Sequence, residues 1–75
     1  MVIFLERKPV KSRILRSVGY DESTKILEVE AQSGLIHQYI GVPPKVYTEL
    51  MNSGEIGKYF SDKVWNRFRS KQVGP

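Results

Sequence analysis

The side chains able to do chemistry in this chain are mostly cations, and they are bunched. Residues 7–16 carry Arg7, Lys8, Lys11, Arg13 and Arg16 with no acid among them. Residues 58–71 carry Lys58, Lys63, Arg67, Arg69 and Lys71 against Asp62 alone. Residues 17–57 hold only Lys25 and Lys45 against Asp21, Glu22, Glu28, Glu30, Glu49 and Glu55, so a net charge of +4 hides two basic ends and an acidic middle. A fold that joins the ends makes one patch able to attract phosphate. Tyr39, Tyr59 and Trp65, with His37 as a weaker fourth, are the rings able to stack on a base, an interaction worth ~1–3 kcal/mol where it occurs. The candidate nucleic-acid surface is therefore Arg13, Arg16, His37, Tyr39, Lys58, Lys63, Trp65, Arg67 and Arg69. The plainer reading stands beside it. Charge runs usually mark a solvated face, and so small a chain needs Tyr20, Tyr47, Tyr59, Phe60 and Phe68 for its core.

Catalysis has little to work with. Without cysteine there is no thiol nucleophile, disulfide or thiolate metal site. His37 is the lone histidine and no serine sits in a G-x-S-x-G elbow. Gly54, Gly57 and Lys58 lack the spacing and the preceding strand of a phosphate-binding loop. The expectation is a non-enzymatic binding domain with no cofactor, no metal and no small-molecule substrate. No apolar run approaches the ~18 residues of a membrane span, and charges follow Met1–Leu5 at once, so the expected place is the cytoplasm.

Seventy-five residues allow one small domain. Residues 1–11 read as a loosely tied arm that Pro9 interrupts. Residues 12–20 alternate as an edge strand, with Ile14, Val18 and Tyr20 on one side and Arg13, Leu15 and Ser17 on the other. Residues 21–24 supply turn chemistry. Residues 25–31 alternate with Leu27, Val29 and Ala31 inward and Glu28 and Glu30 outward. Ser33-Gly34 predicts a tight turn, with Gly34 at positive φ. Residues 35–40 form a third strand. Pro43-Pro44 opens a helix with an apolar stripe of Val46, Tyr47, Leu50 and Met51, ended by a left-handed Gly54. Gly57 pivots a linker. Ser61 reads as the N-cap of a last helix holding Val64, Trp65 and Phe68, in which Lys63 and Arg67 lie one turn apart as a phosphate clamp. Residues 70–75 read as a disordered tail. The predicted fold is α+β: a three-stranded antiparallel meander followed by two short helices packed on one face, over residues 12–69.

In this order and spacing, "SRILRSVGYD", "LEVEAQSG", "HQYIGVPPKVYTEL" and "GKYFSDKVWNRF" resemble the KTSC domain, over about residues 12–68. That family is named for the C-terminal domain of some lysyl-tRNA synthetases and also occurs as stand-alone bacterial or phage proteins. The resemblance implies RNA binding as the suggested function. The family's Y-x-Y pattern falls on residues 37–39, with His37 in place of its first tyrosine. Which face of strand 35–40 is open is undecided. Ile36 and Ile40 argue for turning inward, leaving His37 and Tyr39 outward, whereas the family pattern argues that strand aromatics beside a helix pack beneath it. A second function is also in view: a protein-interaction module or homodimer, with "MVIFL" adding as a strand to a sheet edge.

Overall fold

The computed structural model describes residues 5–75. The elements are β1 (Lys8–Pro9), β2 (Leu15–Asp21), β3 (Ile26–Ala31), β4 (Ile36–Ile40), α1 (Pro44–Asn52), α2 (Ile56–Lys63) and β5 (Arg69–Gly74). The strands make one antiparallel sheet in chain order. The α+β class holds, but the sheet has five strands where the sequence predicts three. Both additions come from the ends. In the arm, Lys8 and Pro9 pair with Val18 and Ser17, and proline is tolerated because this is an edge. The tail predicted to be disordered is strand β5 over residues 69–74, paired along the whole of β4. It shows no apolar alternation because most of its residues are exposed, so its order comes from main-chain pairing. The predicted edge pairing of residues 1–5 lies outside the described residues for positions 1–4.

The turn at 31–34 forms as the sequence suggests, with Gly34 at φ +95°. Strand β2 departs from simple alternation. A bulge between Leu15 and Ser17 inserts one extra residue, which returns Leu15 to the side of Val18 and Tyr20. Leu15 is thus core, at 2% exposure, while Ile14 stays exposed.

One face of the sheet carries Leu15, Val18, Leu27, Val29 and Tyr39, and with Val42, Leu50, Phe60 and Val64 these residues form the core. Strand β4 turns its aromatics toward the helices: Tyr39 is 4% exposed and meets Phe60 edge-on at 5.6 Å between ring centres. Ile40 is exposed on the opposite face. The inference from the two isoleucines is corrected, because the arm rather than open water lies over part of that opposite face.

Helix α1 starts as predicted, with extended Pro43 before Pro44. Tyr47 stacks on Tyr20 at 5.0 Å, and the Tyr20 hydroxyl donates to the Val42 carbonyl. The helix leaves through an extended Ser53 and not a left-handed Gly54. Helix α2 begins five residues before the predicted Ser61, and Gly57 lies inside it. It ends at Lys63, where Val64 and Trp65 both donate to the Phe60 carbonyl. Asn66, at φ +65°, then swings the chain into β5. Asparagine tolerates that left-handed conformation better than most residues.

Candidate nucleic-acid interface

The helices do not cover the whole sheet. Tyr47 covers Tyr20, and Phe60 covers Tyr39. The next row, Val29 and His37, which pair across β3 and β4, is left at the margin. There a groove of about 350 Å³ opens, with Leu15, Val29 and Tyr39 buried beneath it, His37 half-buried, and Ile14 and Trp65 exposed along it. Trp65 is 57% and Ile14 43% exposed.

Gly57 packs α2 against the residues just before β2. A Cβ there would lie 2.9 Å from the Ser12 Oγ and 3.2 Å from Ile14, so a larger residue would force those side chains to shift. Ser12 in turn accepts from the backbone N–H groups of Ile14 and Leu15, each at 3.2 Å. Beside this contact lies a second, broader depression of about 650 Å³, whose charged lining is Lys11, Arg13 and Lys58 against Glu55. The two share Ile14 and Ser61, so an apolar aromatic groove runs into a cationic one.

The predicted site residues divide. Arg13, His37, Lys58 and Trp65 lie along this continuous surface. Tyr39 is its foundation and offers no open ring; burial pushes its phenol pKa up. Arg16 projects from the bulge toward Glu30 at 3.6 Å and the Gln32 carbonyl at 3.0 Å. Arg69 pairs with Ile40, on the face away from the helices. Lys63 lines a shallow depression with Lys58, Tyr59 and Asp62. The Lys63–Arg67 clamp does not form as predicted, because the helix ends at Lys63 and Arg67 turns back to the Asp62 carbonyl at 3.3 Å. Tyr59 lies outside this surface, beside Lys63: its hydroxyl donates to Glu49, and burial with that carboxylate raises its pKa to about 12. Lys11 and Ile14 also belong to the surface. In the sequence Lys11 is only one charge in a run, and the alternation that groups Ile14 with Val18 and Tyr20 does not reveal the bulge.

The opposite face is organised differently. Glu28 is fully buried and accepts from Arg7, the Leu5 backbone and Gln38. Arg7 also donates to Ser17, and Ser17 to Glu30. The outward Glu28 is therefore not solvated: the arm lies over it. A Cβ at Gly19 would collide with the Glu6 carbonyl, so only glycine lets the arm cross there. Among the described residues no group of three or more acidic or histidine side chains is placed to hold a metal ion, and no helix is long and apolar enough to cross a membrane.

A five-stranded sheet roofed by two short helices, with an aromatic groove at the helix margin, defines a small α+β domain. The KTSC domain family matches residues 11–68, and the chain belongs to that family. It is similar to a KTSC domain protein from Yersinia pestis of known crystal structure, with a TM-score of 0.90, 28% identity, and 95% of this chain and all of that one covered. It is 40% identical over 57 residues to an uncharacterized protein of Stutzerimonas stutzeri, covering 76% of this chain and 80% of that protein. It is also 29% identical over 73 residues to a lysine–tRNA ligase of Nostoc punctiforme, covering 97% of this chain but only 13% of the ligase.

Proposed function

We propose that this is a non-catalytic, cytoplasmic domain that binds single-stranded RNA across the groove between β2, β4 and the end of α2. One observation carries the reading: the exposed Trp65 stands on an apolar groove that continues into Lys11, Arg13 and Lys58. Cations supply a salt-sensitive phosphate term, and an open ring supplies stacking that tolerates any base. The similarity to one segment of a lysine–tRNA ligase is in keeping with an RNA ligand. The test is an NMR titration of the labelled domain with a short mixed-sequence single-stranded RNA, at low salt and at higher salt. Expected are shifts centred on Arg13, His37, Lys58 and Trp65 that fade as salt rises. Silence at low salt refutes the proposal.

A second reading is a protein-interaction module, favoured by the outer edge of β5, six residues long and unpaired among the described residues. Arg69 and Lys71 on that strand work against indiscriminate pairing. Edge pairing would show as concentration-dependent association that salt does not dissolve.

A further inference from the structure

We propose that the groove beside Trp65 is a seat for a single unpaired nucleotide, with its base against Trp65 and His37 and its phosphate toward Arg13 and Lys58. The inference rests on the RNA reading and narrows it: the unit recognised is one splayed nucleotide, not a duplex and not a long strand.

Size supports it. At about 350 Å³ the aromatic groove lies at the lower end of small-molecule sites. Its composition fits one flat ring. Leu15, Val29 and Tyr39 form an apolar base and Trp65 an exposed π-face. Polarity is then narrowly placed. The His37 imidazole is half-buried, makes no hydrogen bond to another described residue and lies 6.5 Å from the Tyr39 ring. Its cross-strand neighbour Gln72 is exposed on the same face. Ring nitrogens and an amide beside an apolar seat are the groups that read the edge of an unstacked base. The net positive charge lies at one end. Lys11, Arg13 and Lys58 outnumber the single acid, Glu55, beyond Ile14 and Ser61, so a bound nucleotide has one orientation, phosphate at the cationic end. An acidic peptide with an aromatic side chain shares some of this chemistry. It has less use for the His37–Gln72 pair, which suits a heteroaromatic edge carrying both donors and acceptors.

Trp65 is the sole tryptophan, so its emission reports on the seat directly. The wild-type chain is titrated with adenosine monophosphate, adenosine, inorganic phosphate and a short single-stranded RNA. Expected are saturable quenching by the monophosphate, binding at least about tenfold weaker for adenosine, and no quenching by inorganic phosphate. RNA should quench and displace the monophosphate. Among the four ribonucleoside monophosphates affinities should differ, and His37→Phe should compress that spread while Arg13→Ala with Lys58→Ala weakens all four alike. RNA binding that leaves Trp65 emission unchanged, or that monophosphates do not contest, overturns the single-nucleotide seat and leaves the RNA reading standing. Failure of both RNA and monophosphate to bind overturns both. Quenching by an acidic aromatic peptide but by no nucleotide assigns the groove to a protein partner and also overturns the proposal.

Discussion

The two faces of the sheet solve one problem in opposite ways. On the helix side, burial is apolar: Val18, Leu27, Val42, Leu50 and Val64 are wholly removed from water. On the arm side, burial is polar, with Glu28 enclosed by Arg7, Gln38 and the Leu5 backbone. The apolar face tolerates an incomplete roof, because a gap in it is simply a groove. The polar face does not, because a buried carboxylate stripped of its partners is costly. The difference teaches where this domain has room for a ligand. The aromatic groove is on the side of the helices, and the stretch of the other face around Glu28 is clasped by the arm.

Substitutions can break that contrast. The largest effect is expected in the apolar layer: Leu50→Ala should lower stability by about 2–5 kcal/mol, read from urea unfolding. The polar clasp comes next. Arg7→Ala should cost about 3 kcal/mol, at the low end for a broken buried pair, because the Arg7 side chain retains 20% exposure. Replacing both partners, Arg7→Leu with Glu28→Met, should recover part of that loss, the remainder reflecting the Gln38 amide and Leu5 N–H that lose Glu28 as acceptor; a double variant less stable than Arg7→Ala would contradict this.

A smaller effect is expected from pH. The phenols of Tyr20, Tyr39 and Tyr59 are all raised, chiefly by burial. A raised native pKa means the folded state holds its proton more tightly. That stability is fully present below the unfolded value of about 10 and is lost as pH climbs toward about 12, where Tyr59 ionises. Denaturation midpoints should be flat up to that window and fall through it, and tyrosinate absorbance should rise with the fall. Trp65→Ala should have the smallest effect on stability, within about 0.5 kcal/mol as for other surface sites. Its effect on RNA affinity should be far larger, about 1–3 kcal/mol if one base stacks there. Equal losses in both would make Trp65 a packing residue.

Much of this fold was legible. Alternation in residues 25–31, Gly34, and Pro43-Pro44 before an apolar stripe gave β3, its turn and α1 close to where they lie. The misses share a cause: local pattern competed with pairing partners that sequence does not display. Val64 and Phe68 keep a helical spacing, yet Asn66 breaks the chain between them. Strand β5 is too polar to announce itself and exists because β4 offers an edge. Of the candidate site, the cations and Trp65 could be picked by residue type. Which of them share a surface could not, since that depends on the bulge at Arg16 and on where α2 stops.

The most direct test of the groove as an RNA site is the salt dependence of single-stranded RNA affinity, compared between the wild-type chain and Arg13→Ala with Lys58→Ala. Each phosphate contact on a single strand contributes about −0.7 to the slope of log affinity against log salt. If both cations hold phosphate, the double variant should bind more weakly and its slope should be shallower by about 1.4. Unchanged affinity and an unchanged slope would contradict the assignment and place the RNA, if it binds, on another surface.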